Sequence, residues 1–134
     1  MKTISFYFPF KPLSLNAAYK TLPNGRRAKS AKYTPFKKQV ERIVDGKQLA
    51  DFAATFDESK HSLKLTLIVY LKDFYTKNGR ISKTSLDIFN AEKVTMDIIS
   101  KVSGINDAFI TEGHVTKNQG DKDCFFLNLE INNK

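Results

Sequence analysis

Apolar residues recur along this chain at two distinct periods. Ile4, Phe6, Phe8 and Phe10 alternate with Ser5, Tyr7 and Pro9, which predicts an opening strand with one apolar face, ending at the prolines. Leu63, Leu65, Leu67, Val69 and Leu71 repeat the two-residue period and form the clearest strand. Further strands are predicted over 108–117 and 124–131, with a turn over 118–122 and with Phe125, Leu127, Leu129 and Ile131 facing inward. Helical spacing appears twice. Phe36, Val40, Ile43 and Val44 follow Thr34-Pro35, read as an N-cap and a first-turn proline; Asp45-Gly46 ends or interrupts that helix, and resumption over 48–56 stays open. Ala91, Val94, Ile98 and Val102 make the apolar stripe of a second amphipathic helix that opens at Asp87 and stops at Gly104.

The order β-α-β-α-β-β predicts an α+β fold, with a mixed sheet of about four strands and two helices packed on one face. A chain of 134 residues suits one domain spanning 1–134. The absence of an 18-residue apolar run and of a signal-peptide pattern reads as a soluble, intracellular protein with no membrane partner. Cys124 is the only cysteine, which excludes an internal disulfide and a multi-thiolate zinc site and suggests a buried apolar thiol.

Charge changes this picture. The net charge is +8, and the surplus is N-terminal: residues 1–47 hold eleven Lys or Arg against Glu41 and Asp45, whereas the remainder holds eleven basic against twelve acidic. Lys20, Arg26, Arg27, Lys29, Lys32, Lys37 and Lys38 fall in one stretch without an acid, and Lys77, Arg80 and Lys83 lie in the polar connection over 72–85. Such a surface suits a polyanion, nucleic acid before an anionic membrane, since the loop around Pro23-Asn24-Gly25 is no amphipathic basic helix. Eighteen of the 22 basic residues are Lys, which favours contacts to phosphates over bidentate base readout. A basic loop also serves solubility, and that alternative stays open.

The candidate chemistry lies in Asp87, Asn90, Lys93 and Asp97, spaced three, three and four apart. In one continuous helix Asn90, Lys93 and Asp97 share a face and Asp87 sits at its mouth, where an N-cap role stands beside a metal-binding one. Gly104-Ile105-Asn106-Asp107 then turns the chain and returns a second carboxylate. Two carboxylates and a lysine on one edge suit a hard cation and a phosphoryl transition state. His61 and His114 appear isolated and read as incidental.

Pro9-Phe10-Lys11-Pro12-Leu13-Ser14-Leu15-Asn16, Tyr19, Tyr33-Thr34-Pro35 and above all Asp87-x-x-Asn90-x-x-Lys93-x-x-x-Asp97, followed by Asn106-Asp107-Ala108, resemble the RusA family of Holliday junction resolvases along nearly the whole chain. The resemblance implies a RusA-like, homodimeric, Mg²⁺-dependent endonuclease, with Mn²⁺ as a substitute, that resolves four-way DNA junctions by paired symmetric cuts. It would act in the cytoplasm of a bacterial host or phage-infected cell. Carried over, the catalytic residues are Asp87, Lys93 and Asp107, the metal ligands Asp87 and Asp107, and the supporting residues Asn90 and Asp97. DNA contacts are expected from Asn16, Lys20, Arg26, Arg27, Lys29, Lys32, Lys77, Arg80 and Lys83.

One position departs from the family: Phe89 stands where a further Asp is usual. A shifted register, with Ser85 for the first carboxylate and Asp87 as the second, still lacks a ligand and spoils the spacing to Asn90 and Lys93. Glu92 and Asp97 are the acids at hand to compensate, but in an unbroken helix neither projects alongside Asp87. The rival expectations are a catalytically impaired relative that binds branched or duplex DNA without cutting it, and a basic docking surface for an acidic protein partner.

Overall fold

The structure, a computed structural model, describes residues 2–83 and 86–134. Four strands form one mixed sheet: β1 (Lys2–Phe8), β4 (His61–Leu71), β5 (Ile110–Gln119) and β6 (Cys124–Asn133), in the order β1-β6-β4-β5. β6 lies antiparallel between β1 and β4, while β4 and β5 run parallel. A parallel pair requires a crossover. Here it spans residues 72–109 and contains helix α4 (Lys93–Ser103), so Asp107 emerges immediately before β5 at the sheet edge.

The two-residue period is realised in register. Leu65 pairs with Leu129, Leu67 with Leu127 and Phe8 with Phe125, and all of these side chains are buried on one face. Helices α2 (Tyr33–Ile43), α3 (Gly46–Ala54) and α4 join them in a single core through Phe36, Val40, Leu49, Phe52, Val94 and Ile98. Phe10 lies beyond the end of β1 yet packs edge-on to Phe36 and Phe125, with ring centroids 5.6 and 5.9 Å apart. The α+β architecture with a four-stranded mixed sheet is therefore the one the pattern predicts, and Cys124 is buried.

Several local expectations give way. α2 begins at Tyr33 with Lys32 rather than Thr34 at its N-cap, and no side chain caps it. α2 ends at Ile43 with Val44 as its C-cap, and Asp45 caps α3, accepting from the Lys47 and Gln48 N–H groups at 3.0 and 3.3 Å, so the resumption is real and adds a helix. The basic stretch is not simply a loop: after the one-turn helix α1 (Leu15–Ala18), β2 (Tyr19–Thr21) and β3 (Arg27–Lys29) pair around Gly25, whose φ of 82° requires a residue without a Cβ. The 72–83 connection also folds back on itself, through a Tyr75–Ile81 bridge and a Thr76 N–H bond to the Arg80 carbonyl at 2.7 Å.

The largest revision concerns the second helix. Residues 88–90 form a separate 3₁₀ turn capped by Asp87, and α4 starts only at Lys93. Asn90 therefore does not share a helical face with Lys93 and Asp97. Val94 and Ile98 are buried as expected, together with Thr95, Met96 and Ile99, but Val102 is 42% exposed because it lies in the last turn, past the core contact. Gly104, with φ 77°, ends the helix as the sequence predicts. Ser85, the acid position in the shifted register, lies outside the described residues.

Candidate functional site

Asp87 sits on the 3₁₀ turn because its carboxylate satisfies that turn: Oδ1 accepts from the Phe89 N–H at 3.0 Å, with Asn90 Nδ2 at a long 3.5 Å from Oδ2. The turn is held against the sheet from below, where Lys117 Nζ on β5 donates to the Leu86 carbonyl at 2.7 Å. Asp107 opens a second 3₁₀ turn, Asp107–Phe109, in which Asn106 takes the cap by accepting from the Ala108 N–H at 2.9 Å. Asp107 is thereby left free of capping. Its Oδ2 accepts instead from Lys93 Nζ at 2.9 Å, and the same ammonium reaches Asp97 Oδ1 at 3.1 Å.

Lys93, Asp97 and Asp107 are thus brought together. The hydrogen bond to Asp107, and after it the one to Asp97, raises the Lys93 pKa above its ordinary value against a smaller opposing effect of burial. A raised ammonium pKa means that the charge and its ion pairs persist below the ordinary lysine pKa and are lost only as pH rises through the folded value. Lys93 is accordingly a fixed positive charge at neutral pH and not a proton acceptor.

Two clefts flank the 88–90 turn. The first, of about 620 Å³, is lined by Phe89, Glu92, Lys93, Asp107 and His114 among others. The second, of about 710 Å³, is lined by Asp87 and Asn90 together with Lys11, Asn16, Lys32 and Gln39. Asp87 and Asp107, proposed from sequence as one ligand pair, therefore line neighbouring clefts on either side of a single turn. Asp87 instead shares its cleft with two of the expected DNA-contact residues, Asn16 and Lys32. Ser14, capping α1, and Ser30 Oγ, bonding the Ala17 carbonyl at 2.6 Å, tie that cleft wall to the hairpin.

The other basic residues expected to contact DNA lie outside both clefts and are exposed. Lys20, Arg26, Arg27 and Lys29 project from the β2–β3 hairpin, Arg27 over the Tyr19 ring at 5.4 Å and Lys29 over the Tyr33 ring at 4.5 Å. Lys77, Arg80 and Lys83 extend from the other connection. Phe89 is 84% exposed at the lip of the first cleft.

Two residues stand differently in the structure from their reading in the sequence. His114 is not isolated: its Nε2 lies 2.9 Å from Glu112 Oε2, which also meets Lys64 at 3.2 Å, and these two partners hold the Glu112 carboxyl below its usual range. The i,i+2 spacing on a strand, which puts both side chains on one face, was the available signal. His61, by contrast, accepts from the Asp57 N–H at 3.0 Å in a local turn and lines neither cleft. The second is Glu92, set aside in the sequence because an unbroken helix turns it away from Asp87: its Oε2 is shut off from solvent and has no hydrogen-bond partner among the described residues.

The profile of the family described as endodeoxyribonuclease RusA matches residues 9–128. The chain belongs to the RusA family. Comparison with individual curated proteins gives no match. In this RusA-family chain the matched span includes both clefts, the Lys93 ion pairs and the whole hairpin. No helix among the described residues is long and apolar enough to cross a membrane.

The family's enzymes generally use Mg²⁺. Among the described residues no three His, Cys, Asp or Glu side chains are grouped so as to hold a metal ion. Mg²⁺ ordinarily takes one or two carboxylates, retained waters and substrate phosphates. The carboxylates of the first cleft, one of them with an unpartnered buried oxygen, fit such a site.

Proposed function

We propose that this protein is a divalent-cation-dependent endonuclease that resolves four-way DNA junctions by paired symmetric cuts. The reading rests on one observation above the others: within a RusA-family chain, the Lys93 ammonium is fixed by Asp97 and Asp107 at the wall of an open cleft. Asp107, with Asp87 from the neighbouring cleft, would hold Mg²⁺ or Mn²⁺, which when bound would supply Lewis-acid chemistry toward the scissile phosphate and a water. Lys93 stabilises the negative charge that grows on the phosphate oxygens, and its ion pairs hold it in position before the substrate arrives. Asp97 keeps the ammonium oriented, and Asn90 orients Asp87. A twofold homodimer would set two such sites on opposite strands, matching the near-twofold symmetry of the junction.

The hairpin and the cleft shared by Asn16, Lys32 and Asp87 carry DNA through its phosphates. Replacing Lys20, Arg26 and Lys32 together by Ala is expected to make the dependence of log K on log salt shallower by roughly 2–3. Filter binding or fluorescence anisotropy across a salt series measures it. An unchanged slope would move these residues from a DNA surface to one for an acidic protein partner.

The deciding assay compares wild type, Asp87→Asn and Asp107→Asn on a synthetic four-way junction with Mg²⁺. Cutting by the wild type, lost in both variants, is the expected result; tight binding without any cutting overturns the enzyme reading. One observation favours the second reading, a protein that binds junctions without cutting them: an exposed Phe89 stands where the family has a carboxylate. Phe89→Asp distinguishes the two. Exposure at this position makes the change nearly neutral for stability, within about 0.5 kcal/mol. A chain silenced by the missing acid gains junction cleavage, whereas an active one changes its rate by less than about tenfold.

A further inference from the structure

We propose that Glu92 supplies the carboxylate that Phe89 has replaced, joining Asp107 on the first-cleft side of the divalent cation that Asp87 approaches from the neighbouring cleft; this rests on the nuclease reading above. Three acids lie close in sequence to the lost ligand, and their surroundings differ. Asp87 caps its own turn and lines the other cleft. Asp97 is engaged by Lys93 at 3.1 Å. Of the three, Glu92 alone lines the cleft of Lys93 and Asp107, and its Oε2 is closed to solvent and without a hydrogen-bond partner among the described residues. A buried, unpartnered carboxylate oxygen is costly and calls for a compensating ligand.

The local backbone explains how Glu92 comes to be there. An unbroken helix from Asp87 would carry residue 92 around to a face of its own, but the 3₁₀ turn ends at Asn90 and α4 begins at Lys93. Glu92 becomes the residue at the helix mouth and yet caps nothing: its side chain makes no bond to the first-turn N–H groups. Its carboxylate is left without a capping role beside the cleft that Glu92 lines. The cleft lining carries Glu92 and Asp107 against Lys93, whose ammonium is also met by Asp97, which does not line the cleft; the balance of charge is negative, which suits a divalent cation. Thr95 Oγ1 and Ser100 Oγ are also buried without partners among the described residues, but neither lines this cleft.

The test uses the whole chain, DNA-free, with Mn²⁺ as probe, followed by titration calorimetry and by the rise in melting temperature that binding to the folded state produces. Glu92→Gln is expected to melt no lower than the wild type without metal, and to bind Mn²⁺ at least about tenfold more weakly with loss of the Mn²⁺-dependent rise. A merely structural Glu92 would lower the melting temperature and leave the rise intact. Glu41→Gln, an exposed acid on α2, should match the wild type. Should Glu92→Gln fail to fold, Glu92→Asp keeps the charge on a shorter arm and should bind Mn²⁺ several-fold more weakly; wild-type affinity there overturns the proposal. Mn²⁺ binding lost in Asp107→Asn but kept in Glu92→Gln overturns the role of Glu92 and leaves the nuclease reading standing. A wild type that takes up no Mn²⁺ at millimolar concentration sinks both.

Discussion

Asp107→Asn is expected to slow junction cleavage by about a hundred- to a thousandfold while leaving junction binding within a few fold. Asn is nearly isosteric, so the 3₁₀ turn, whose cap is supplied by Asn106, should keep its shape. What disappears is charge. Lys93 loses the charge of its 2.9 Å partner and keeps an ion pair only with Asp97, so the ammonium is less firmly placed, and the first cleft loses an anionic ligand. Binding through the basic hairpin does not depend on that carboxylate, and removing a negative charge near the backbone of DNA favours binding slightly. Single-turnover cleavage of a labelled junction at saturating protein separates the two effects. A cleavage rate within tenfold of the wild type would remove Asp107 from the chemistry.

The largest expected effect on stability comes from Phe125→Ala, about 3–5 kcal/mol. Phe125 is fully buried in the central strand β6, stacked on Phe8 with centroids 4.5 Å apart, and in edge contact with Phe10. Truncation empties a space between β1, β4 and the segment that leads into the second cleft, and neighbours held by two strand ladders have little freedom to fill it. A domain of this size has only about 5–15 kcal/mol in total, so the loss is a large fraction of it. Urea denaturation reads it as a lower midpoint at unchanged slope. A midpoint shift equivalent to less than about 1 kcal/mol would show that the core relaxes into the gap.

The fold was legible where residues repeat. Leu63 to Leu71 and Phe125 to Ile131 could take only one register with their apolar sides buried, because a slip of one residue would turn every one of them to solvent. The 87–103 segment was harder. Its apolar positions fit one continuous helix, and nothing in residue type announces a break between Asn90 and Lys93. The break follows from packing: Lys117 pins the Leu86 carbonyl to the sheet edge, while the buried side of α4 answers to α2 and α3. Local periodicity cannot weigh such contacts, which join residues remote in the chain.

The same division runs through the site. Sequence alone determined that Lys93 and Asp97 lie one helical turn apart and that the basic surplus sits in the N-terminal half, since spacing and charge need no tertiary contact to be read. Only the tertiary structure decided that Asp107 meets Lys93, that Asp87 lines one cleft with Asn16 and Lys32, that His114 has a partner, and that Glu92 is left with an unanswered oxygen among the described residues. These are matters of which side of a turn each side chain occupies, and the crossover from β4 to β5 sets that through long-range packing rather than local sequence.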